Sequence, residues 1–91
     1  MIKYEQGCKT AFDYYKENGK HGLCEANDLG DAWLFAGGDP DAVEDGGFSI
    51  TVDKESGKIE PFFLPDKENF KRLAKAIPLI VPDEYKYKHK G

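Results

Sequence analysis

The sequence predicts an α+β domain, an antiparallel four-stranded meander with an N-terminal and a C-terminal helix packed on one face. Three observations predict it. Phe48, Ile50 and Val52 alternate with Ser49, Thr51 and Asp53, and Ile59, Pro61 and Phe63 alternate with Glu60, Phe62 and Leu64, which is the period of paired strands. Tyr4, Cys8, Ala11, Phe12 and Tyr15 recur at the spacing of one helix face. The strand-like runs are joined by short turns, which antiparallel neighbours allow and parallel ones do not.

The helical pattern runs from about residue 3 to residue 17, and Asn18-Gly19 is its stop, with Gly19 in the left-handed position beyond the cap. Gly7 interrupts it and permits close packing. Lys20 to Asn27 is a weak strand, and Asn27-Asp28-Leu29-Gly30 a turn. Asp31 to Gly37 is a stronger strand. Trp33 and Phe35 lie on one side and Ala32, Leu34 and Ala36 on the other, so both sides are apolar and the strand is central.

Phe48 to Leu64 reads as a hairpin. With Lys54-Glu55-Ser56-Gly57 as the loop, Asp53 faces Lys58, Val52 faces Ile59 and Phe48 faces Phe63, so the apolar partners share a face. Gly57 supplies the positive φ of the turn, and Asp53 accepts from the turn amides. Pro61 has no amide donor, which marks an edge strand. Asp66 is the N-cap of a second helix, in which Phe70, Leu73, Ala74 and Ile77 form the core-facing stripe and Lys67, Lys71, Arg72 and Lys75 the outer face. Pro78 stops it. Ile77 to Pro82 is extended across the core, and Tyr85 and Tyr87 alternate with lysines in a tail (82–91) that adds an edge strand or frays. The expectation is one domain over residues 1–91.

Charge divides the chain. Residues 25–60 hold ten acids and two lysines, a net of −8, within a total of −4. Such a band disfavours nucleic acid as the partner and suits a basic protein surface, although on charge alone a solvated acidic face is the simpler explanation. No apolar run reaches the roughly 18 residues of a membrane span, and Met1-Ile2-Lys3-Tyr4 does not read as a secretion signal, so a cytoplasmic location is expected. Cys8 and Cys24 have no metal-binding spacing and read as reduced thiols. His21 has no second ligand near it in sequence.

Gly37 to Gly47 is a glycine-rich acidic loop. Counted from Asp41 as a calcium loop, its third position is Val43 and its twelfth Val52, where oxygen ligands belong, so neither a metal nor another cofactor is expected. No nucleophile is paired with a base, so the chain is not expected to be an enzyme. The candidate partner-binding residues are Asp39, Asp41, Glu44 and Asp45 of this loop, with Asp31 beside it. Trp33 is assigned to the core rather than to the contact surface.

The strand with Trp33 and Phe35, the acidic loop, the strand-turn-strand ITVDKESGKI from Ile50 to Ile59 and the short helix from Asp66 together resemble the immunity protein 35 family of small bacterial proteins. The resemblance covers Asp31 to about Ala76. The family's Gly-Asn-x-Pro before the third strand is replaced here by Gly46-Gly47-Phe48-Ser49. The resemblance implies a non-catalytic cytoplasmic protein that binds and neutralises a toxin; a monomer or weak homodimer is expected. The alternative is an accessory protein that binds a peptide or protein along its sheet edge.

Overall fold

The computed structural model describes residues 1–19, 22–37, 49–62 and 67–86. The chain runs α1 (Tyr4–Glu17), β1 (Leu23–Asp28), β2 (Ala32–Gly37), β3 (Ser49–Asp53), β4 (Ile59–Phe62), α2 (Lys67–Ala74) and β5 (Ile77–Leu79). The strands form one antiparallel-paired sheet in the order β4-β3-β2-β1-β5. The α+β class, the meander of β1 to β4 and the central place of β2 are as the sequence predicts. His21, the acidic loop, the Phe48–Phe63 pair, Asp66 and Tyr87 lie outside the described residues.

The hairpin register follows its apolar pattern. Val52 lies opposite Ile59, and the Asp53 amide donates to the Lys58 carbonyl at 2.9 Å. Gly57 has φ 75°, and its amide reaches the Asp53 carbonyl. Asp53 Oδ2 accepts from the amides of Glu55 and Ser56 and from the Ser56 hydroxyl, at 3.1, 2.8 and 2.9 Å. Turn geometry therefore accounts for Asp53.

One face of the sheet carries Ala26, Trp33, Phe35, Ile50 and Val52, all buried, and α1 covers it with Cys8, Ala11 and Tyr15. The helix lies very close. A Cβ at Gly7 would stand 2.5 Å from Trp33 Cε3, and one at Gly37 would collide with the Tyr15 ring. Tyr15 spans the layer and donates its hydroxyl to the Phe35 carbonyl at 3.1 Å, so its polar end is satisfied in the core. Burial pushes the pKa of this phenol upward. At the helix start the Lys3 amide donates to Gln6 Oε1, and Gly19, at φ 81°, follows the C-cap as expected.

Three features depart from the expected arrangement. The added edge strand is Ile77–Leu79, which pairs with Ala26–Asp28 of β1 instead of crossing the core. The tail contributes less: the Leu23 amide donates to the Tyr85 carbonyl at 2.8 Å, Lys86 bridges Leu23, and the Tyr85 ring packs on Phe12. Phe62, expected on the outer side of the hairpin, is buried at 7% exposure on the second face with Ala32, Leu34 and Thr51.

The third departure concerns α2, which is not on the α1 face. β4 and β5 are opposite edges, so the connection between them spans four strand spacings, roughly 19 Å. With α1 on one face, α2 passes on the other. Its Arg72 guanidinium stands 5.9 Å from the Phe62 ring centroid and pairs with Asp31 at 3.3 Å. The helix ends at Ala74, before Ile77, and none of its residues is buried.

The Gly7–Trp33 contact yields a stability prediction. Gly7→Ala should gain about 1 kcal/mol of helix propensity and lose about 1–3 kcal/mol to overpacking. The net expected in urea denaturation is a less stable protein; a higher unfolding midpoint would contradict the close approach.

Candidate functional site

Asp28, Asp31, Asp53 and Glu55 gather at one end of the sheet, because the β1–β2 and β3–β4 turns lie side by side there. Ala32 pairs with Asp53, and the Lys54 amide donates to the Asp31 carbonyl. The acids of this pole have local partners. Asp28 Oδ1 receives the Lys54 ammonium at 2.8 Å and the Gly30 amide at 2.7 Å. The Lys54 ammonium also stands 5.6 Å from the Trp33 ring centroid. The bond from Lys54 is the main reason the Asp28 carboxyl is held below its ordinary range, with the Gly30 amide adding to it. The Asp53 carboxyl is lowered chiefly by the Ser56 amide and hydroxyl. Glu55 lies 3.9 Å from the terminal ammonium of Met1, and Glu60 3.6 Å from Lys58.

Of the five residues expected to bind a partner, Asp31 alone is described. It is exposed and paired with Arg72. Asp39, Asp41, Glu44 and Asp45 lie outside the described residues. The two ends of their loop, Gly37 and Ser49, are at the far end of β2 and β3 from Asp31. Six residues of strand separate Asp31 from that end, roughly 20 Å. Asp31 therefore belongs to the turn pole, not to the end of the sheet from which the loop departs.

Clefts open on the described surface. One, about 370 Å³, lies on the α2 face between Asp31, Thr51, Asp53, Lys58, Glu60 and Arg72. Its mixed charges already pair with one another or with the turn. Another, about 390 Å³, lies along β1 where its outer cover changes from β5 to the tail, between Cys24, Glu25, Pro78, Ile80 and Lys86. Neither cysteine forms a disulfide. Burial pushes the Cys8 thiol upward, away from nucleophilic character. Among the described residues, no three His, Cys, Asp or Glu side chains come together as metal ligands would, and no helix is long and apolar enough to cross a membrane.

The feature that sequence reasoning missed is the orientation of α2. Asn69 and Arg72 are its partly covered residues, while Phe70, Leu73 and Ala74 are exposed. At about 100° per residue, Phe70 points about 160° away from Arg72 around the helix axis. The apolar stripe thus faces outward and the Arg72 stripe faces the sheet, the reverse of the expected amphipathic packing. A signal was present in the strands. Thr51, Asp53, Lys58 and Glu60 make the second face of the hairpin polar, which suits a basic helix stripe better than an apolar one. Phe70, Leu73, Ile77 and Ile80 are exposed at 52, 38, 63 and 88%, and with Met1 they are the exposed large apolar residues of the described chain.

Asp28 gives a pH prediction. Its lowered carboxyl stabilises the fold fully above the ordinary carboxylate range, near pH 4, and that contribution is lost as pH falls through the lowered value. Asp28→Asn should cost on the order of 1 kcal/mol at neutral pH, and the gap from the wild type should close as pH falls below the ordinary carboxylate range. Urea midpoints measured across that range check it; a gap independent of pH would contradict the role of the Lys54 pair.

No family model matches the chain, and no curated protein or solved structure matches it either.

Proposed function

We propose that the chain is a non-catalytic protein-binding domain that binds and neutralises a toxin, the function implied by its likeness to the immunity protein 35 family. The observation that carries the protein-binding part is the reversed α2. An apolar stripe turned to solvent costs hydrophobic free energy in the isolated protein, on the order of 25 cal/mol for each Å² left uncovered. A partner recovers it. The toxin-directed part rests on the sequence likeness and on the acidic band. In this reading Asp39, Asp41, Glu44 and Asp45 meet a basic surface of the toxin and speed its capture. Asp31, held by Arg72 at the opposite end of β2, helps to orient α2 and need not touch the same surface.

The alternative, strand addition along a sheet edge, has less support. Both edge strands are short, and each contains a proline, Pro61 in β4 and Pro78 in β5. A proline offers no amide to an incoming strand, and short proline-bearing edges are how sheets resist augmentation. Binding through side chains fits this geometry better.

Coexpression with the products of neighbouring genes in the native operon tests the reading. The expected result is a stoichiometric complex with one of them and relief of the growth arrest that product causes. A chain that neither co-purifies with them nor restores growth would refute toxin neutralisation.

A further inference from the structure

We infer that the outward face of α2 docks into an apolar groove rimmed by carboxylates on a partner protein. The inference rests on the protein-binding reading above and adds the surface and its chemistry. Phe70 and Leu73 are about 60° apart around the helix, and Ala74 lies beside Phe70, so the three make one stripe. Lys67 is about 60° from Phe70 on the side away from Leu73, and Lys71 follows it one turn on. Both lysines are exposed, and no ion pair ties either of them among the described residues. Arg72, the remaining cation of the helix, is turned to Asp31 and Phe62. The stripe therefore has a basic rim on one side and the anchored, sheet-facing side on the other. Beyond the helix, Ile80 is also exposed, at 88%.

Charge selects the occupant. A second copy placed stripe to stripe would bring two pairs of lysines around one apolar seam, and like charges there oppose association. A groove with carboxylates on its rim meets Lys67 and Lys71 with opposite charge while Phe70 and Leu73 fill its apolar floor. This is the helix-in-groove mode of recognition, with an aromatic anchor at the centre of the stripe.

The test uses the full chain, isotope-labelled, titrated with two short amphipathic peptides. Both carry leucines at helical spacing; one is otherwise glutamate and the other lysine. Backbone amide shifts report where each binds. The glutamate peptide is expected to perturb Lys67 to Lys75 and to bind at least about tenfold more tightly than the lysine peptide at that surface. The double variant Phe70→Ser, Leu73→Ser should abolish the effect, and Lys67→Glu, Lys71→Glu should reverse the preference. Trp33 fluorescence checks that the variants keep their core, since all four positions are exposed. Equal binding of the two peptides at α2, glutamate-peptide shifts confined to other residues, or no binding of either would overturn the inference. So would a dimer in sedimentation that Phe70→Ser dissociates, because the occupant would then be a second copy. If the lysine peptide binds through the acidic residues and the glutamate peptide leaves α2 unmoved, the surface is wrong while protein binding stands.

Discussion

The contact on which the structure depends is the approach of α1 onto β2. Two glycines set it. Gly7 lets the helix backbone come down onto the Trp33 ring, and Gly37 leaves room for the ring of Tyr15 at the other end of the strand. Between these points Cys8 and Ala11 present small side chains to Phe35, Ile50 and Val52. In this layer the buried Tyr15 hydroxyl needs a partner, and the Phe35 carbonyl supplies it. Tyr4 continues the aromatic row over Trp33 and Phe35, and its hydroxyl donates to the Ile80 carbonyl, which ties the chain just after β5 to the same helix.

Because α1 fills one face so closely, the connection from β4 to β5 passes over the other. That face is mixed. Ala32, Leu34 and Phe62 are apolar, but Thr51, Asp53, Lys58 and Glu60 stand beside them. Arg72 suits such a surface. Its guanidinium lies over Phe62 while it reaches Asp31, which couples an aromatic contact to an ion pair. Once Arg72 faces the sheet, helix geometry turns Phe70 outward. The reversed helix is thus a consequence of which face α1 leaves available and of what the hairpin displays there.

Much of the fold was legible because local rules agree with it. The hairpin register, the Asp53 turn, Gly57, Gly19 and the edge character of Pro61 each follow from short-range chemistry. The central place of β2 follows from its two apolar sides. The helix faces were not legible to the same degree. Phe70, Leu73 and Ile77 have the spacing of a core stripe, and periodicity cannot say which face a tertiary neighbour will take. Ile77 is drawn into β5 by pairing with Asp28, a contact 49 positions away in sequence. Of the candidate site, nearness in sequence groups Asp31 with the acidic loop, but the length of β2 carries it to the opposite end of the sheet. Its actual partner, Arg72, is forty-one residues distant and is brought to it by the crossing of α2.

The central claim is that α2 turns Arg72 inward and Phe70 outward. Nuclear Overhauser contacts of the Phe62 ring in the isolated protein test it most directly. The structure predicts contacts from Phe62 to the Arg72 side chain, and none from the Phe70 ring to Phe62 or Leu34. Contacts between the Phe70 ring and Leu34 or Phe62, with Arg72 free in solvent, would mean that the helix packs by its apolar stripe, and the docking surface proposed for it would not exist.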